Sequence, residues 1–284
     1  EADRVGFQVL ERAGFDVNGM GTFFERLLKA GRLYENNAPA YLRTHPMSTE
    51  RMADMQNRAQ DLPYKQVPDS IEFHLVRAKL RANQGDARDN VVSATEQLRQ
   101  RRYISEVGAR YFLTAALIRD KQFSLAEREL ANLRALQINH PMIDMLAVNV
   151  QLAKGDARAA RALLRSGLTR FPNYQPFRYA LVQSLQDSGE HEQALAESEE
   201  LVKEFRKDAR FHEMRARSLA ATGQRLKLHQ ALAEQYYLMG TIPAAIDQLQ
   251  MAQKAGGGDF YQMSVIEARL RDMRRELASQ APQK

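Results

Sequence analysis

The chain has six histidines and no cysteine, so disulfides and thiolate metal sites are outside its chemistry. One histidine stands apart. In LRTHPMSTERMADMQNRA, residues 42–59, His45 and Pro46 close a loop ahead of a short amphipathic helix. A lone loop imidazole commonly hydrogen-bonds backbone or caps a helix, and no catalytic cluster surrounds this one. A second set of side chains suits binding rather than catalysis: Phe112, Ala115 and Arg119; Met145, Asn149 and Leu152; Tyr179, Gln183 and Gln186; and Glu234 with Tyr237. Amides among them can satisfy the backbone of an extended peptide or protein segment, while Met and Tyr accept varied apolar groups. No lysine-and-asparagine set stands out as a carboxylate clamp.

The elements that must position this second set form a repeat. AKGDARAARALL, DSGEHEQALAES and MGTIPAAIDQLQMA share one pattern: an apolar helix meets a small turn residue, and a second helix carries Ala five positions on. Gly155, Gly189, Gly223 and Gly257 recur at a spacing of 34, and Lys121 and Gly85 continue the series upstream with one slip of two residues. Ala126, Ala160, Ala194 and Ala245 fall where the second helix crosses the first, a contact that only a short side chain permits at close approach. Pro141 and Pro172 fall between hairpins, ending one helix and pre-setting the start of the next. Period, glycines, alanines and prolines together resemble the tetratricopeptide (TPR) hairpins over about residues 69–257. A stack of such hairpins curves, with the first helix of each lining the concave side, which assigns the binding set to that face.

The repeat departs from its pattern in places. Asn90 holds the alanine position of the first hairpin, and the chain has no Trp. Gly240 follows Gly223 by 17, so the helix from about 225 to 239 is a second helix by counting and a first helix by signature. The last helix, 259–279, carries Phe260, Met263, Ile266, Leu270 and Met273 on one face and reads as a cap.

Residues 1–62 lie outside the repeat, with helices expected at about 1–12, 18–31 and 49–60. Phe23, Phe24, Leu27 and Leu28 mark the apolar face of the second, and Met52, Met55, Ala59 and Leu62 that of the third, with Ser48 as its N-cap. Pro63 and Pro68 stiffen the linker DLPYKQVPDS. No window approaches the run of apolar residues that a membrane-spanning helix needs, which leaves peripheral proximity to a membrane open. Net charge is +6, and residues 1–62 carry eight Lys and Arg against nine Asp and Glu, so the positive excess lies in the repeat. Its cations are spread among Glu and Gln at helical spacing, as solvated faces are, so nucleic acid is not an expected partner. EADRVGFQVL reads as the middle of a helix, as it would in a fragment.

EADRVGFQVLERAGFD, FFERLL and LRTHPMSTERMADMQNRA together resemble the C-terminal part of the catalytic domain of HtpX-like zinc metallopeptidases. The resemblance is to the secreted bacterial subfamily that carries a C-terminal TPR domain. It implies a gluzincin zinc site: two histidines of HExxH on one helix, a glutamate on a later helix, and an open position for water that the HExxH glutamate deprotonates. Asp3 matches the aspartate of the later E-x-x-x-D pattern, which puts the ligand glutamate two residues before Glu1. HEQAL at 191 and HEMRA at 212 lack the second histidine. By resemblance Asp3 orients a zinc-bound histidine or assists the leaving group; without it, Asp3 reads as a surface partner of Arg4 or Arg12. His45 becomes a gating residue and additional zinc ligand in the complete protein, filling the open position until its loop moves.

The fold expected is all-α, a TPR helical-hairpin solenoid (69–284) joined by a linker (63–68) to a small helical remnant of a zinc metallopeptidase domain (1–62). The resemblance implies zinc in the parent protein but none on this chain alone, and no proteolysis by this chain alone. It also implies a periplasmic role, with the solenoid docking on the outer-membrane β-barrel assembly machinery or unfolded barrel clients. A reading from another class is a non-catalytic TPR adaptor, with residues 1–62 as a capping bundle.

Overall fold

A computed structural model describes residues 1–33, 49–60, 62, 63, 65 and 67–280. All regular structure among them is helical, in fifteen helices. The molecule divides into two compact units, Glu1–Ser70 and Ile71–Lys284.

The first unit holds α1 (Ala2–Arg12), α2 (Asn18–Leu33) and α3 (Thr49–Gln60). Phe7, Val17, Phe24, Met55 and Ala59 form its core, with Leu10, Met20, Met52 and Leu62 packed around them. Phe23 does not share that face. It is 57% exposed while Phe24 is buried, because neighbours on a helix point about 100° apart and α2 can turn only one of the two rings inward. The expected cap at Ser48 lies outside the described residues.

The second unit is a run of hairpins. Its helices are α4 (Ile71–Ala82), α5 (Ala87–Arg99), α6 (Glu106–Arg119), α7 (Phe123–Ala135), α8 (Pro141–Lys154), α9 (Ala157–Arg170), α10 (Gln175–Asp187), α11 (His191–Glu204), α12 (Ala209–Ala221), α13 (Arg225–Leu238), α14 (Ile242–Ala255) and α15 (Phe260–Gln280). Two to four residues separate the helices within each hairpin from α4 to α13, and four to six separate successive hairpins. Substantial contacts join only helices one or two places apart in sequence, as in a solenoid.

The turn residues of the 34-residue series explain how such short links close. Gly85, Gly155, Gly189 and Gly223, and Gly240 half a period beyond them, lie at φ between 64° and 82°, the left-handed region that glycine enters without a Cβ penalty. Lys121 stands in the same place at φ 59° without that freedom. Five residues on, Ala126, Ala160, Ala194 and Ala245 are all wholly buried. Asn90, at the same position of the first hairpin, instead donates its Nδ2 to the Gln84 carbonyl at 2.7 Å and closes the preceding turn. Polar side chains start many of the helices: Asp86, Ser105, His140, Asp156 and Asp208 each accept a backbone N–H from the first turn.

Helix α13 has three-residue turns on both sides, each with a left-handed glycine, and packs on both α12 and α14. It is thus the second helix of one hairpin and the first of the next, which is how the half-period shift at Gly240 is absorbed. In α15 Ile266, Leu270 and Met273 are buried and Met263 packs beside them. Phe260, expected on that stripe, is 90% exposed: it is the first residue of the helix, and the stripe begins one turn later. Asp259 and Gln262 start α15 as a reciprocal capping box, with N–H to side-chain oxygen distances of 2.7 and 3.3 Å.

Candidate functional site

Asp3 sits in the first turn of α1, and its partner comes from another helix. Arg51 of α3 donates Nε to Oδ2 at 2.5 Å and Nη2 to Oδ1 at 2.6 Å, a bidentate fork, while its guanidinium lies 5.0 Å from the centre of the Phe24 ring. One cation therefore touches α1, α2 and α3. The hydrogen bonds from Arg51 hold the Asp3 carboxyl below the usual carboxylate range. The surface partners expected for Asp3, Arg4 and Arg12, do not supply this fork; Arg4 instead reaches Asp54 at 3.6 Å, and Asp54 also accepts from Arg58 at 3.1 Å.

An ionised carboxylate in this state accepts hydrogen bonds and is a poor proton donor at neutral pH. Among the described residues no group of three or more His, Asp or Glu converges to hold a metal ion, and both oxygens of Asp3 face guanidinium N–H groups. The described residues by themselves do not fit a zinc site. His45 lies outside the described residues.

The residues assigned to the concave face have divergent fates. Phe112 is buried in the core of the first hairpins, with Arg81 stacked 4.4 Å over its ring. Gln186 is also buried, donating Nε2 to the Met214 carbonyl at 2.7 Å and to Ser218 Oγ at 2.8 Å. Arg119 caps α4, donating to the carbonyls of Ala82 and Gly85. Tyr179 donates its hydroxyl to Asp208, stacks on Phe211 at 4.5 Å and carries Arg210 at 4.1 Å on its ring. Burial, and then the bond to Asp208, push the Tyr179 hydroxyl up to about 12. Glu234 accepts both arms of Arg269 at 2.8 Å, and Tyr237 donates to Glu276 at 2.8 Å under the same Arg269, which fastens α15 to α13. Met145 packs against the central cluster. Asn149 is half-buried, and Leu152 and Gln183 are exposed.

Arg51 is the residue that sequence reading passes over. Its signal is positional: it lies four residues before Met55 and eight before Ala59, on the buried stripe of α3, where a cation calls for a carboxylate.

Residues 1–59 match the peptidase family M48, and residues 151–218 match the tetratricopeptide repeat. Over almost its whole length the chain is similar to proteins named beta-barrel assembly-enhancing protease. It is 28% identical over 280 residues to that of Escherichia coli (strain K12), covering 96% of this chain and 56% of the relative. To that of Yersinia pestis it is 24% identical over 276 residues, covering 97% of this chain and 57% of the relative. The chain thus spans little more than half the length of these curated relatives. Among solved structures, MamA from Desulfovibrio magneticus RS-1 is similar at 16% identity and a TM-score of 0.42, over 63% of this chain and 99% of that one.

Proposed function

We propose that residues 1–62 are the closing part of a zinc metallopeptidase catalytic domain and residues 69–284 its TPR interaction module, acting in the assembly and quality control of outer-membrane β-barrel proteins. The observation that carries this reading is the co-occurrence, in one polypeptide, of a peptidase M48 match over residues 1–59 and helical-hairpin repeats, in a chain similar over 96% of its length to a protein named beta-barrel assembly-enhancing protease. Those relatives' names support a setting in the cell envelope, with the periplasm as the compartment. The repeat unit would engage polypeptide, from the assembly machinery or from its unfolded clients.

Of the two roles the family resemblance offers Asp3, its geometry favours orientation. A carboxylate kept ionised and fixed by Arg51 can accept an N–H from a metal-bound imidazole and hold that ring's tautomer. It is ill-suited to deliver a proton to a leaving group. Arg51 is then a positioning residue. His45 remains the proposed gate, filling the open metal position in the resting protein.

The experiment uses the intact protein together with the 284-residue chain. The chain alone should neither retain stoichiometric zinc after dialysis nor cleave an unfolded barrel protein. In the intact protein, Asp3→Asn should lower kcat far more than KM, and His45→Ala should raise proteolysis while changing the zinc coordination seen by X-ray absorption. Cleavage by the 284-residue chain would overturn the assignment of the missing catalytic parts. Unchanged activity in Asp3→Asn would remove its orienting role, and an unchanged zinc shell in His45→Ala would remove the gate.

A further inference from the structure

The first hairpin of the repeat unit carries a cavity that the protease reading leaves unused. It measures about 260 Å³ and opens between α4 and α6, where the α5–α6 turn folds back. Arg77 and Arg81 of α4 and Arg102 of the turn line it together with Gln97, Tyr103 and Phe112, and no Asp or Glu does.

This clustering departs from how the later first helices handle their arginines. Arg110 of α6 meets Glu106 and Glu129, Arg178 of α10 meets Glu204, and Arg217 of α12 meets Asp187, at 2.6 to 2.8 Å. Arg77, Arg81 and Arg102 enter no ion pair among the described residues. Glu96, next to Gln97 in sequence, is bonded to Arg99 at 2.6 Å, and Arg99 first and then Arg102 hold its carboxyl below the usual range. The Arg81 guanidinium lies 4.4 Å from the centre of the Phe112 ring, a contact that uses none of its N–H donors in an ion pair. Three arginines and no acidic residue in the lining leave this small space with a positive charge that an anion can neutralise.

We infer that this cavity is a binding site for a carboxylate carried by a polypeptide, either an Asp or Glu side chain or a free C-terminus. Guanidinium forks match carboxylate geometry bidentately, and Gln97 adds a neutral donor. The space is at the small end of ligand pockets and has room for one or two side chains. Tyr103 and the exposed Ile104 offer apolar contact to the residue beside the carboxylate. That the ligand is an anion rests on the cavity; that it is a polypeptide, and so carries its negative charge as a carboxylate, rests on the proposed scaffold function.

The test titrates the 284-residue chain against three labelled peptides of one apolar sequence, read by fluorescence anisotropy. One has internal Glu and an amidated end, one is neutral with a free C-terminus, and one is neutral and amidated. At least one carboxylate peptide should bind about tenfold more tightly than the amidated neutral twin, and which one does so identifies the source of the carboxylate. R77Q/R102Q, at exposed positions, should erase that advantage; R271Q/R274Q, removing equal charge from α15, should keep it. Equal affinity for all three peptides would overturn the carboxylate site while leaving the scaffold standing, and so would an advantage that survives R77Q/R102Q or falls equally in R271Q/R274Q. If no peptide binds, the scaffold reading fails, and acetate decides the cavity. Arginine side-chain NMR shifts confined to Arg77, Arg81 and Arg102 would support it, and shifts spread over all arginines would overturn it.

Discussion

Residues 1–70 and residues 71–284 are built from similar amphipathic helices but hold them together on different terms. Among the described residues of the first unit five side chains make the buried core, and one guanidinium, Arg51, touches all three helices through Asp3 and Phe24. In the second, the same small set of contacts recurs from hairpin to hairpin, each reaching one or two helices away. Damage to the shared cation should therefore be felt by every helix of its unit. Damage to a repeat contact should stay near where it was made.

The strongest challenge to that contrast is Gly167→Ala. A Cβ there would come 2.8 and 2.9 Å from Phe177 ring atoms, and Phe177 is wholly buried, so the ring has nowhere to retreat. The helix-propensity gain of about 1 kcal/mol offsets part of an overpacking cost of about 2–3 kcal/mol, giving a net loss of about 1–2 kcal/mol in denaturant unfolding. Hydrogen exchange should place the loss in α8 to α11, and Phe177→Leu should recover part of it. Equal loss of protection from α4 to α15 would break the nearest-neighbour description.

Arg51→Met tests the other side. Both partners are partly exposed, which limits the loss to about 1–2 kcal/mol, but protection should fall in α1, α2 and α3 together. Because Arg51 depresses the Asp3 pKa, the clamp contributes fully above the ordinary carboxylate range and its contribution is lost as pH falls below it. Urea unfolding of the 284-residue chain should show this acid-dependent component, and Arg51→Met should lack it. Protection lost in α1 alone would reduce Arg51 to an ordinary surface pair.

Tyr179→Phe refines the repeat side, since it keeps the stack on Phe211 and removes only the hydroxyl bonded to Asp208, at a cost of about 1 kcal/mol. The folded-state value of about 12 lies above the ordinary phenol value of about 10. This contribution is therefore complete below the ordinary value and is lost as pH rises through the folded one. Phenolate absorbance of the native protein should show several tyrosines titrating late, Tyr111, Tyr174 and Tyr237 among them, and the variant should show one fewer of these; loss of a tyrosine from the ordinary range instead would remove Asp208 as the partner.

These contacts also mark what could be read from the residues alone. The repeat was legible because Gly155, Gly189 and Gly223, and Ala126, Ala160 and Ala194, are demanded by geometry at fixed intervals, and no other residue type serves as well. The inner face was not. Helix α6 buries Tyr111, Phe112, Leu113, Thr114, Ala116 and Leu117 in near succession, so it has neighbours on most sides and its polar stripe cannot be used to find the surface. Tyr179 and Gln186 went the same way, into the next hairpin rather than toward a ligand. In the first unit the match of Asp3 to a family pattern located an important carboxylate, but its partner lies 48 residues on, and only the break that Arg51 makes in an apolar stripe hinted at it.

The smallest expected effect is also a gain. Lys121 occupies the turn position that its counterparts fill with glycine, at φ 59°, where a Cβ crowds the following carbonyl. The same φ is open to glycine, whose greater unfolded-state freedom offsets part of the relief. Lys121→Gly should therefore stabilise the repeat unit by only about 0.5–1 kcal/mol in urea unfolding, without changing binding elsewhere. Lys121→Ala keeps the Cβ and should give no such gain, so the pair separates backbone strain from loss of the lysine charge. A gain seen equally in both would mean that charge, not conformation, sets the cost of this turn, and that the repeat unit tolerates irregular turns more freely than its regular period suggests.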